Sequence, residues 1–317
     1  MSLYTVIVPD TSVLQRVCGT NDSNVKLIES FLGVPVFARG NEISVEADSP
    51  GTEQEFRFII DRLLDEIAEG GSEISDADLL RSVLRTDTQG FSKKYHITVP
   101  GGIRKVYPRT EGQCALVQGM READMVFAEG PAGSGKTFLA VAEALRLVLS
   151  HEKSSIVLTR PVVEAGESLG YLPGDLQEKV NPYIRPLYDS MHAVLPRETV
   201  KRLSESGIIE IAPLAYMRGR TLNDSVIILD EAQNTTVEQM KMFLTRMGEN
   251  SKVFVTGDLS QIDLPHHVVS GLAHALKILK NISGISINRL SAEDVVRSGL
   301  VKKIIQAYEH EKRENEY

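Results

Sequence analysis

The residues with the most specific chemistry are Gly130 to Thr137, GPAGSGKT. They follow the apolar run MVFAE and lead into FLAVAEALRLVL, so the context is strand, turn, helix. Gly130, Gly133 and Gly135 permit backbone turns that aim successive N–H groups inward, with Pro131, Ala132 and Ser134 between them. The helix N-terminus adds partial positive charge. Lys136 is expected to meet the β- and γ-phosphates and Thr137 to place its hydroxyl on Mg²⁺. The spacing therefore predicts a nucleoside triphosphate site. A chance glycine-rich turn would have to reproduce every one of these positions.

Two further strand ends carry polar groups that would complete such a site. VIILDEAQN, Val226 to Asn234, ends an apolar run in two carboxylates. Ligands of open α/β sheets bind at the carboxyl ends of strands, and a buried carboxylate pair is costly without a cation or hydrogen bonds. Asp230 is expected to hold Mg²⁺, directly or through water, and Glu231 to orient or activate the attacking water. Glu231 would otherwise cap the next helix, but Thr235 with Glu238 makes a capping box there. In KVFVTGDLSQ a third run ends in Thr256, Asp258 and Gln261. Gln261 stands where an amide senses a γ-phosphate or orients water; the plainer alternative is a surface glutamine after a Gly-Asp turn.

These groups need a scaffold. MVFAE, SIVLT, IIEIA, VIILD, KVFVT and ISINR are short, apolar on both faces and separated by helical stretches. That is the pattern of a parallel sheet covered by helices on both sides. Residues 111–317 are expected to form this α/β core, ending in the charged tail HEKRENEY. Residues 1–88 read as a small α+β module. It has a strand YTVIV, a helix Asn24 to Leu32, and strands PVFAR and EISVEA turning at Gly40-Asn41. A longer helix from about Thr52 to Glu69 presents Phe56, Ile59, Ile60, Leu63 and Ile67 on one face. A short helix opened by Ser75 with Asp78 follows. Residues 89–110, richer in Gly and basic residues, read as a linker.

Composition sets bounds. The net charge of −8 over 317 residues argues against a surface coated for nucleic acid, while leaving room for a local basic groove. No apolar run approaches a membrane span. The N-terminus lacks a basic start, and Pro9 and Asp10 interrupt its apolar stretch, unlike a signal peptide. Cys18 and Cys114 fit no metal spacing, and a reduced cytoplasmic setting is the simplest expectation.

The three motifs in this order resemble the PhoH family of bacterial ATPases, relatives of superfamily 1 helicases. Further stretches carry the resemblance: PRTEGQ (108–113), TRPVVEAGESLGYLPGDLQEK (159–179), PLAYMRGRTL (213–222) and DVVRSGLVKKIIQAYE (294–309). It covers roughly the last two thirds of the chain. The resemblance implies a RecA-like core that binds and hydrolyses ATP with Mg²⁺, adenine preference through Gln113, a cytoplasmic ring-forming assembly, and work in RNA metabolism.

The N-terminal module resembles a degenerate KH domain. Where such a domain carries GXXG before a helix, this chain has Gly19-Thr20-Asn21-Asp22, with an anion in place of the last glycine. A docking or structural module and an RNA reader both remain open. Between Arg160 and Arg197, Tyr171, Tyr183 and Tyr188 interleave with Lys179 and Arg185. This suits a stacking platform for single strands or a packed subunit interface. Arg218, Arg220, Arg289 and Arg297 lie in or beside the family-like stretches. Arg297 or Arg220 is the candidate arginine finger onto a neighbour's γ-phosphate, with ordinary ion pairing as the alternative. The leading expectation is ATP hydrolysis coupled to RNA remodelling or unwinding. The rival is an ATP-switched adaptor for a ribonuclease or ribosome-associated partner, and a small-molecule kinase is a third.

Overall fold

The computed structural model describes residues 2–68, 95–161, 176–265 and 267–295. The described chain forms two units, and the second begins at Tyr95.

In the first unit, β1 (Ser2–Ile7) pairs antiparallel with β3 (Glu42–Ala47), which pairs antiparallel with β2 (Val36–Arg39). The hairpin turns through Gly40 at φ 67°, as the Gly-Asn pair predicts. Three helices accompany the sheet: α1 (Thr11–Cys18), α2 (Ser23–Leu32) and α3 (Pro50–Ala68). The face expected on α3 is the buried one, since Phe56, Ile59, Ile60, Leu63 and Ile67 all join one core with Ile28, Ile43 and Val45. Helix α1 was not expected. Pro9-Asp10 reads as an interruption, yet the Asp10 carboxylate caps the helix by accepting from Ser12 N at 2.8 Å and Val13 N at 2.9 Å. The short helix expected at Ser75 lies outside the described residues.

The second unit is a parallel sheet of six strands in the order β6-β5-β7-β8-β4-β9. The strands are β4 (Met125–Glu129), β5 (Ser155–Arg160), β6 (Ile209–Pro213), β7 (Ser225–Leu229), β8 (Lys252–Gly257) and β9 (Ile285–Arg289). All six apolar runs are strands, and their alternate residues serve two cores. Val126, Ile156, Leu158, Ile228 and Phe254 pack with α4 (Glu111–Glu122) and α5 (Lys136–Leu149). Phe127, Val157, Ile227, Leu229 and Val255 pack with α8 (Val237–Leu244) and α9 (Gly271–Ile278). The first layer also includes α6 (Leu176–His192) and α7 (Arg197–Glu205), through Leu187 and Val200.

Two local expectations need correction. Much of the stretch expected as a linker is core. Ile97 and Val106 exchange backbone hydrogen bonds of 2.7 and 2.9 Å, and both side chains are buried with Tyr95, Val99 and Cys114. Its glycines and basic residues mask a short apolar alternation. The capping box of α8 is one residue later than expected. Thr236 Oγ1 accepts from Gln239 N at 3.2 Å while Gln239 Oε1 accepts from Thr236 N at 2.9 Å. Thr235 instead turns inward and donates to Ala232 O at 2.7 Å.

Candidate nucleotide site

The loop between β4 and α5 adopts backbone conformations that its glycines make accessible. Gly130, Gly133 and Gly135 have φ of 155°, 81° and 81°. At Gly130 a Cβ would come within 2.5 Å of Leu290 O, so close approach as well as dihedral angle requires glycine. The loop is tied to the end of β8 at two points: Gly130 N donates to Gly257 O at 3.1 Å, and Ala132 N to Asp258 Oδ2 at 2.9 Å. Gln261 Nε2 donates to the same Asp258 oxygen at 2.8 Å.

Lys136 is only 8% exposed. Its Nζ donates to Gly130 O at 2.7 Å, Pro131 O at 2.8 Å and Ser134 Oγ at 3.2 Å. Burial pushes its pKa down, against the opposing pull of Asp258, Glu231, Asp230 and Glu129. A polyphosphate brought to this loop would strengthen the charged form.

In the same cleft, Asp230 Oδ1 accepts from Thr137 Oγ1 and from Thr256 Oγ1, both at 2.7 Å. Thus α5, the residue after β7, and β8 each contribute one oxygen group to a single point. A carboxylate and hydroxyls are the hard oxygen donors that Mg²⁺ takes, so Thr137 and Asp230 could hold that ion. Glu231 follows in a left-handed conformation, φ 52° and ψ 39°. Its side chain is bonded to Arg160 and to Gln233. Gly133, Lys136, Thr137, Asp230, Glu231 and Gln261 all line one cleft of about 270 Å³. The structure therefore brings together the loop, the carboxylates and the glutamine that sequence singled out.

Gln113 is placed differently from the expectation. It is 4% exposed and lies behind the loop, where Nε2 donates to Ser134 O at 3.0 Å and Oε1 accepts from Arg109 N at 2.7 Å. Bidentate reading of adenine needs both ends of the amide, and here the carbonyl end is already bonded. Gln113 braces the phosphate loop. Arg220 is likewise committed within its own chain, through bonds of 2.6 Å from Nη1 and Nη2 to the Oε1 and Oε2 of Glu210. This is the ordinary ion pairing that was the alternative to a finger role. Arg289 is exposed, with Nε 3.8 Å from Glu129 Oε2. Arg297, Tyr171 and most of the stretch 159–179 lie outside the described residues, as do the side chains of Lys179 and Tyr183. Tyr188 packs against the core and stacks on His192 at 6.1 Å, the arrangement of a packing residue.

Sequence reasoning missed Gln233. It is 1% exposed and bonds to Glu231, to Asp258 N and to Gln261 O. A polar residue two positions after the carboxylate pair was the available signal. Arg160 was noted only as a basic residue beside tyrosines; its contact with Glu231 depends on β5 and β7 being neighbours.

A RecA-like parallel sheet with this loop and these strand-end carboxylates defines a phosphate-loop NTPase. Residues 105–309 match the PhoH family of PhoH-like proteins. The chain is 50% identical over 299 residues to a PhoH-like protein of Bacillus subtilis, covering 92% of each chain. It is 41% identical over 313 residues to a PhoH-like protein of Synechocystis, covering 96% of this chain and 94% of that one. It is 45% identical over 205 residues to protein PhoH of Escherichia coli, covering 64% of this chain and 58% of that protein. The chain belongs to the PhoH family. Among the described residues, no helix is long and apolar enough to cross a membrane.

Proposed function

We propose that the protein hydrolyses ATP with Mg²⁺ and couples turnover to remodelling of RNA. The observation that carries the hydrolysis is the meeting of Thr137, Thr256 and Asp230 on one oxygen, in the cleft that Lys136 and Glu231 also line. Bound Mg²⁺ would neutralise charge on the β- and γ-phosphates. The loop N–H groups and Lys136 bind and orient the triphosphate. Glu231 accepts the proton of the attacking water, and Gln261, on the loop tied to Ala132 through Asp258, orients that water. The RNA part is supported by the family resemblance and by the KH-like order of the N-terminal elements, with Gly19–Asp22 between α1 and α2. The acidic Asp22 in that turn favours the second reading, an ATP-switched adaptor whose N-terminal unit docks a protein.

The deciding experiment is phosphate release with and without single-stranded RNA. RNA-stimulated turnover supports remodelling, and turnover indifferent to RNA supports the adaptor. In parallel, Glu231→Gln should retain ATP binding by calorimetry and lose turnover, because the amide keeps the shape but accepts no proton. Lost binding instead would make Glu231 a metal holder. Assembly into a ring, with Arg297 reaching the neighbour's γ-phosphate, belongs to the same proposal. Light scattering that finds only monomers in a fully active preparation removes it.

A further inference from the structure

The phosphate loop rests at both ends on one short segment, residues 290–294. At the start of the loop, Gly130 lies so close to Leu290 that an added Cβ would stand 2.5 Å from Leu290 O. Leu290 N in turn donates to Glu129 O at 2.8 Å. The far end of the loop is reached through a relay. Asp294 is buried, and its Oδ2 accepts from Ser291 N at 2.6 Å. Its Oδ1 accepts from Thr110 Oγ1, and that hydroxyl accepts from Gln113 N at 3.2 Å, capping α4. Gln113 Nε2 completes the relay on Ser134 O at 3.0 Å. Gly112 is seated on the same carboxylate, since a Cβ there would stand 2.6 Å from Oδ1 and 2.7 Å from Oδ2.

A carboxylate at a helix N-terminus is favourable, so Asp294 holds the first turn of α4 by charge as well as by bonding. The Thr110 hydroxyl donates to Asp294 and accepts from Gln113 N, so its orientation is fixed from both sides. Gln113 then sets the loop. The peptide between Ser134 and Gly135 is planar and trans, so its C=O and N–H point opposite ways. With that C=O bonded to Gln113 behind the loop, the N–H of Gly135 points away from Gln113, on the side of the cleft that Gly135 lines. Backbone N–H groups of such a loop are what cradle a polyphosphate. We infer that Asp294 is a positioning residue for triphosphate binding, acting through Thr110 and Gln113 on the direction of the Gly135 N–H. Its effect falls on the polyphosphate and not on the base. This role rests on the nucleotide binding proposed above.

The test is calorimetric titration of the full chain with Mg-ATP and with Mg-tripolyphosphate, which has no base. Asp294→Ala, Thr110→Val and Gln113→Met should each bind both ligands more weakly, by about fivefold, the scale of one lost hydrogen bond. Asp294→Asn keeps the shape and removes the charge, so it carries the test if Asp294→Ala does not fold. Thr110→Ser keeps the hydroxyl and should recover most of the affinity that Thr110→Val loses. Because Asp294 acts through Gln113, Asp294→Asn combined with Gln113→Met should bind no more weakly than Gln113→Met alone. Losses that multiply in the double variant overturn the relay. Asp294 variants that melt earlier but bind as the parent does make Asp294 a structural residue and overturn its role. A loss confined to Mg-ATP overturns it in favour of base reading by Gln113. A parent that binds neither ligand more tightly than Lys136→Ala does defeats the nucleotide site itself, and the role of Asp294 with it.

Discussion

The chain contains two turns built on the same backbone device, and only one of them is suited to an anion. Each leads into a helix through a left-handed residue that makes no side-chain cap: Asp22, at φ 57° and ψ 29°, before α2, and Gly135, at φ 81° and ψ 7°, before α5. Both helices therefore begin with backbone N–H groups that no capping side chain satisfies. At Gly135 no side chain competes for them, and Lys136 follows at once. At Asp22 the residue itself carries the negative charge that the helix N-terminus attracts. That charge is felt locally: burial pushes the Cys18 thiol up, and Asp22 pushes it further in the same direction. A helix N-terminus becomes an anion site through what its cap residue leaves out.

The larger test of this comparison removes the open character of the Gly135 turn. Gly135→Ala places an L side chain at φ 81°, with its Cβ 3.1 Å from Gln113 Nε2. The left-handed conformation alone costs about 1–2 kcal/mol. The methyl group also presses on the brace that Gln113 makes to Ser134 O. Nucleotide affinity should fall by about tenfold or more, read by calorimetry, with the fold retained by circular dichroism. Unchanged affinity would mean that the backbone form of this loop does not set binding.

The same contrast explains how much could be read from sequence. The phosphate loop was legible because every residue in it acts locally: glycines set the dihedral angles, and Lys136 and Thr137 open the helix. The six strands were legible because buried parallel strands are apolar on both faces. What escaped depends on residues distant in sequence. Gln113 joins the loop from 21 residues away, and Arg160 meets Glu231 across 71. No spacing rule announces such pairs. Helix α1 escaped for a different reason: TSVLQRVC is rich in β-branched residues, and its start depends on an aspartate that also reads as a break. Strand order, which decides that Arg160 at the end of β5 lies beside Glu231 after β7, was not addressed by apolar runs alone.

The smaller test works on the other turn and asks whether it can be opened. Asp22 and Asn21 are both left-handed, at φ 57° and 55°, and Gly19 is at φ 71°. Gly19 has no room for a side chain, since a Cβ there would come within 2.8 Å of both Asn24 and Ser23. Asn24 is buried and holds the end of α1 by donating from Nδ2 to Val17 O at 3.1 Å. The turn is thus anchored without help from the Asp22 side chain. Asp22→Gly should keep its shape, relieve a left-handed non-glycine residue, and remove an anion whose favourable helix-end interaction is worth about 0.3–1 kcal/mol. These contributions oppose each other, so thermal stability should change little. The functional effect should exceed the structural one, because the start of α2 then offers its N–H groups to a phosphate with no carboxylate beside them. Fluorescence anisotropy with a short single-stranded RNA at low salt should show tighter binding by the full chain, on the order of threefold, with the gain shrinking as salt rises. An affinity that does not move would leave this turn a structural joint and favour the adaptor reading of the N-terminal unit.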